Sequence, residues 1–113
     1  MVSAPQRGEI WLTDFGEPVG HEEGFFRPSV IVSANGFNQA GSGLVFTVPT
    51  TTTKRGWRTH VEVGTHTGLR QTSWALVEQM RSASTDRLRL RIGQVDDVTM
   101  ERICTIVQRL LEI

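Results

Sequence analysis

Asp96-Asp97-Val98-Thr99-Met100-Glu101-Arg102-Ile103-Cys104-Thr105-Ile106-Val107-Gln108-Arg109-Leu110-Leu111 ends the chain in a pattern that nothing before it shares. Met100, Ile103, Cys104, Val107 and Leu111 recur at i, i+3, i+4, i+7 and i+11, and Leu110 broadens the same face. Asp96 or Asp97 can cap the first turn, because a short carboxylate accepts from backbone N–H groups that have no helical partner. A helix with one apolar face must pack on a sheet or on a partner.

Upstream, glycines interrupt short apolar runs, which is the mark of strands joined by turns. Glu9 to Phe15 alternates, with Ile10 and Leu12 on one side and Trp11 and Thr13 on the other, and predicts a first strand. Gly16 to Phe26 reads as a polar loop. Pro28 to Ser33 carries Val30-Ile31-Val32, a buried strand. Ala34 to Gly43 is a turn or a single helical turn. Leu44 to Val48 makes a third strand, Thr50 to Arg58 a polar basic loop, and Thr59 to Val63 a fourth strand. After a turn over Gly64 to Gln71, Ser73 to Arg81 predicts a fifth strand, with Gln79 and Arg81 on one face and Glu78 opposite. Asp86 to Ile92 suggests a short helix with Leu88 and Ile92 on one side. Strands followed by a helix point to an antiparallel, mostly β, α+β domain spanning residues 1–113, its sheet curled or closed into a small barrel.

The 12 basic and 12 acidic residues cancel, so no global field draws the chain to nucleic acid or to an anionic membrane. Lys54 is the sole lysine. An arginine bias suits phosphate chemistry, and a coding bias explains it equally well. Cys104 is the only cysteine, which rules out an internal disulfide framework and argues against a structural zinc site. Met1 to Arg7 lacks a secretory pattern, and no apolar run approaches a membrane span. A soluble, cytoplasmic protein is expected.

No general enzyme motif is present: no phosphate-cradling Gly loop with a following Lys, no paired-His helix, no Ser between glycines. His21, His60 and His66 are scattered without metal-ligand spacing, and no metal site is expected. Two loops and a late strand remain. In Gly20-His21-Glu22-Glu23-Gly24-Phe25-Phe26-Arg27-Pro28, the proline holds Arg27 extended at the mouth of a strand. Arg27 is either an aimed guanidinium or the partner of Glu22 or Glu23 in a surface ion pair. Thr50-Thr51-Thr52-Thr53-Lys54-Arg55-Gly56-Trp57-Arg58 combines hydroxyls, cations and an indole. That mixture suits the phosphates and unstacked bases of a single strand, or equally a solvated hairpin loop with Trp57 folded onto the sheet. Gln79 and Arg81 could line a site or an exposed face.

These segments, in order, resemble the MazF/PemK toxins over nearly the whole chain. Arg7-Gly8-Glu9-Ile10-Trp11 looks like the opening strand of that family. Gly20, Glu22, Gly24, Arg27 and Pro28 resemble its Gly-x-Glu-x-x-x-x-Arg-Pro segment, and Val48-Pro49-Thr50-Thr51-Thr52 its Pro-x-Thr-Ser/Thr strand end. Thr59-His60-Val61-Glu62 and Glu78-Gln79-Met80-Arg81 resemble two later signatures. The resemblance implies an SH3-like barrel of the CcdB/PemK type, with about five to seven antiparallel strands, a C-terminal helix and a twofold dimer. It implies sequence-selective cleavage of single-stranded RNA with no metal or other cofactor, and an antitoxin whose flexible segment blocks the RNA channel. Arg27 and Thr51 take the positions of the family's essential Arg and Thr, flanked by Thr50 and Thr52. Glu22 and Gln79 match its polar Glu and Gln. Phe25, Phe26 and Trp57 are candidates for base stacking, and Arg55 and Arg58 for phosphate contact. Three rival readings are a non-enzymatic topoisomerase poison similar to CcdB, an inactive RNA-binding module, and an interaction protein using its helical face. Arg27-Pro28 and Pro49-x-Thr51 favour the nuclease.

Overall fold

β-branched runs too short to fold alone pair here into one antiparallel sheet. A computed structural model describes residues 4–113; the first three residues of the expected 1–113 domain, and of the Met1–Arg7 start, lie outside the described residues. The strands are β1 (Glu9–Asp14), β2 (Phe26–Ile31), β3 (Leu44–Thr51), β4 (His60–Val63), β5 (Ser73–Leu76), β6 (Arg81–Ser84) and β7 (Leu88–Gln94). One helical turn, α1 (Asn35–Asn38), joins β2 to β3, and α2 (Asp97–Leu111) follows β7. The sheet order is β4-β5-β3-β2-β1-β7, with β6 also paired to β3, so its path stays open.

The longest strand, β3, is the pivot. Leu44 to Thr47 pair with β6, Thr47 to Pro49 with β2, and Thr50 and Thr51 with β5. Pro49 sits where β3 changes from β6 to β5. Having no N–H to donate, proline favours such an interruption of the ladder. The core gathers Ile10, Val30, Val48, Val61, Val63 and Val77 beneath Ile103 of α2. Asp96 caps α2 by accepting the Thr99 N–H at 2.8 Å, which settles the choice between Asp96 and Asp97. Ile103 is fully buried, while Leu110 and Leu111 stay exposed at the far end.

Several sequence expectations change. Ser73 to Arg81 is not one strand: Val77–Gln79 form a 3-10 turn between β5 and β6. Glu78 therefore does not lie opposite Gln79 and Arg81. The expected helix over Asp86 to Ile92 is a 3-10 turn, Thr85–Arg87, followed by β7. Leu88-Arg89-Leu90-Arg91 has the period of a strand, and β1 offers it an edge. The alternation in β1 also breaks. Thr13, not Leu12, is fully buried, its hydroxyl 2.7 Å from that of Ser29, and the β1–β7 register shifts on either side of Trp11-Leu12. Finally, β2 begins at Phe26 and β3 runs on to Thr51, so Arg27, Thr50 and Thr51 are strand residues rather than loop residues.

Candidate active site

The β2–β3 ladder ends at Ser29↔Pro49. Beyond it β3 turns to β5 while β2 continues beside β1, where Thr13 faces Arg27. The sheet thus forks, and Arg27 and Thr51 stand on its two prongs. Both line a cavity of about 440 Å³ together with Glu23, Thr52, Arg55 and Ser73. A second cavity of about 820 Å³ is lined by His21, Glu22, Trp57, Glu78, Gln79 and Arg81, among others. Glu23 and Arg55 belong to both, so their side chains form the partition.

Arg27 is well anchored. Its Nε donates to Gly24 O at 3.0 Å and its Nη1 to Thr50 O at 2.9 Å, while Nη1 also lies 3.0 Å from Glu23 Oε2. Of the two partners the sequence offered, the ion pair takes Glu23 and not Glu22. Arg27 is nonetheless part of the cavity wall, so the two readings of this residue are compatible. Glu22 is exposed, and its Oε1 accepts from Val19 N–H at 3.0 Å.

The threonines separate by their bonds. Thr50 is buried and donates its hydroxyl to Pro28 O at 2.8 Å. Thr51 Oγ1 accepts from Thr53 N–H at 3.2 Å, which leaves its own O–H free to donate into the cavity. Thr52 is exposed on the rim.

The larger cavity has an ordered wall. His60, whose side chain is almost fully buried, places Nε2 3.0 Å from Glu78 Oε2, and Thr59 donates to Glu78 Oε1 at 2.7 Å. Partial burial works to raise the Glu78 pKa, but the hydrogen bonds from His60 and Thr59 outweigh it and hold the carboxyl below its usual range. The indole of Trp57 stacks on the His60 ring at 5.1 Å and remains mostly exposed on its other side. Gln79 accepts the Glu23 N–H at 2.6 Å and donates to His21 O at 3.3 Å, so it clamps the β1–β2 loop.

Some candidates are not gathered. Phe25 and Phe26 are exposed but line neither cavity. Arg58 lines a separate groove of about 470 Å³ between β4 and α2. Conversely, sequence reasoning did not place Glu23, His60 or Glu78 in a site. Glu23 had a signal, its nearness to Arg27, whereas its pairing with Arg55 has none in linear order. His60 meets Glu78 only because it pairs with Leu76, just before the 3-10 turn. Among the described residues, no three His, Cys, Asp or Glu side chains cluster to hold a metal ion, and no helix is long and apolar enough to cross a membrane.

Guanidinium groups and hydroxyls converge on an open cleft in this β domain, a set of donors complementary to phosphate. The chain belongs to the family described as PemK-like, MazF-like toxin of type II toxin–antitoxin system, which matches residues 6–111. It is 34% identical over 104 residues to the endoribonuclease MazF9 of Mycobacterium tuberculosis, covering 87% of this chain and 88% of the relative. A mycobacterial endoribonuclease solved in complex with its cognate antitoxin is 29% identical, with a TM-score of 0.81 and 97% of each chain covered. MazF from Deinococcus radiodurans superposes with a TM-score of 0.87 over 99% of this chain and 100% of its own, at 22% identity, and so shares the fold.

Proposed function

We propose that this toxin is an endoribonuclease that cuts single-stranded RNA at a short sequence, with Arg27 and Thr51 at the reacting phosphate. The observation that carries the reading is their convergence at the sheet fork, in a chain 34% identical to a named endoribonuclease. RNA supplies its own nucleophile, the 2′-OH. The protein has to align that hydroxyl, stabilise the charge that builds on the phosphate, and help protons move. Arg27, held by two backbone carbonyls, brings forked positive donors to one non-bridging oxygen, and the free hydroxyl of Thr51 donates to the other. Neither is a base at ordinary pH. No metal ion is needed for this route, and the products are a 2′,3′-cyclic phosphate and a 5′-OH. Trp57 offers its open face to a base, while Gln79, Glu22 and Arg55 line the path of the strand. Phe25, Phe26 and Arg58, outside both cavities, serve flanking nucleotides at most.

Phe46 lines one apolar groove and Leu110 and Leu111 line another, the two adjoining at Met80 and Val107, and a second copy covers this surface to give a homodimer. A flexible antitoxin segment occupies the cleft when the toxin is silent, in the cytoplasm. The test is incubation of purified protein with mixed RNA in excess chelator, beside Arg27→Ala and Thr51→Ala. Cuts at a short motif that both variants lose support the proposal. Intact RNA with wild-type protein defeats it.

A further inference from the structure

Among the described residues Glu23 is the one acidic side chain that lines both cavities, and its carboxylate is divided between two arginines. Oε2 lies 3.0 Å from Arg27 Nη1 and Oε1 lies 2.8 Å from Arg55 Nη2. The Glu23 side chain is only 14% exposed, so water screens this arrangement poorly. A phosphodiester offers the same pattern: one negative charge spread over two oxygens, each able to accept from a separate guanidinium. We propose that Arg27 and Arg55 together form one anion subsite whose resident occupant is the Glu23 carboxylate, and that the RNA phosphate binds by displacing it. This rests on the RNA-cleaving reading above. Glu23 is then an internal competitor of the substrate.

The alternative is that Glu23 merely aims Arg27. The geometry argues against it, because Arg27 is already fixed by Gly24 O and Thr50 O. Arg27 Nη2 has no hydrogen-bond partner among the described residues, and Arg27 lines the same cavity as Glu23. For Arg55, Glu23 is the only side-chain partner among the described residues. Removing it leaves two like charges facing one cleft, which is a stronger anion site and not a weaker one. The loop backbone need not move far: Gln79 holds Glu23 N–H at 2.6 Å, so rotation of the side chain alone vacates the subsite. Exchange of one carboxylate for one phosphodiester leaves the charge of the site unchanged. In E23Q the same phosphate neutralises an uncompensated pair.

The experiment compares wild type, E23Q, R55Q and the E23Q/R55Q double variant. The probe is a mixed-sequence 2′-O-methyl oligonucleotide, which binds but cannot be cut, read by fluorescence anisotropy against salt. E23Q is expected to bind about tenfold tighter than wild type, equivalent to ~1.4 kcal/mol. Its salt slope steepens by about 0.7, the contribution of one more neutralised phosphate on a single strand. The gain disappears in E23Q/R55Q. Equal or weaker binding by E23Q, or a gain that survives loss of Arg55, overturns the proposal. If no form binds the oligonucleotide or cuts RNA, the endoribonuclease reading falls, and inorganic phosphate then judges the subsite alone. A phosphate-dependent rise in Tm that is larger for E23Q than for wild type supports it, and an equal rise refutes it.

Discussion

Replacing Thr50 and Thr51 in turn by valine, which keeps the shape and removes the hydroxyl, separates a structural threonine from a catalytic one. Thr50 is buried and its hydroxyl holds Pro28 O at 2.8 Å, one residue from Arg27. Its loss forfeits one neutral hydrogen bond, about 1 kcal/mol. For a domain of this length, that lowers Tm by roughly 3–6 °C. Thr51 is also largely buried but only accepts, from the N–H of Thr53, an exposed residue whose donor water can take over, so Thr51→Val changes Tm little. The effects on rate are reversed. A hydroxyl that donates to the phosphate as charge develops is worth on the order of 10²-fold in kcat, and of these two strand threonines Thr51 is the one whose donor is not already given to a backbone carbonyl. The assay is single-turnover cleavage of a fluorogenic mixed-sequence RNA in chelator, well below either Tm, with folded fractions matched by circular dichroism. Thr51→Val should lose about 10²-fold in rate at near wild-type stability. Thr50→Val should keep most of its rate at reduced stability. If Thr50→Val lost as much rate as Thr51→Val at equal folded fraction, the assignment from hydrogen-bond commitment would be wrong.

Other perturbations test the frame around the site. Gly93 packs so closely on the Thr65–Thr67 turn that an added Cβ would fall 1.8 Å from Thr67 O; Gly93→Ala should destabilise by about 1–3 kcal/mol or more, read by urea denaturation. Ile103→Ala, which empties a fully buried position between α2 and the sheet, should cost about 2–5 kcal/mol in the same measurement. Hydrogen bonds from Thr99 and then His66 hold the Asp96 pKa at about 2, below its ordinary 3.8. The group therefore stabilises the fold fully above pH 3.8 and loses that contribution as pH falls toward 2. Asp96→Asn keeps the cap and should flatten this part of a Tm-against-pH profile. Leu111→Asp places a charge on the exposed apolar end of α2 and should shift the proposed dimer to monomer in sedimentation velocity; an unchanged mass would remove this face from the proposed interface.

Local patterns were enough for much of the architecture. The α2 face was written in the spacing of Met100, Ile103, Cys104 and Val107, and the first four strands in short apolar runs between turns. Such signals are local because side-chain direction follows directly from helical or strand period. Boundaries failed where a neighbour supplied the missing bonds. Leu88–Gln94 is a strand because β1 has an open edge, and Ser73–Ser84 breaks because β3 changes partner at Pro49. For the candidate site, order along the chain pointed to Arg27 and to a run of four threonines. It could not say which hydroxyl was free, since that depends on Pro28 O lying across the fork from Thr50. Nor could it relate Glu23 to Arg55, or His60 to Glu78. Those pairs exist only because strands distant in sequence meet, and meeting is a property of the packed sheet. Sequence by itself determined the kinds of group available and the elements that carry them. The tertiary structure alone decided which of them share a cavity, which are already bonded, and that a carboxylate rests where a phosphate is proposed to bind.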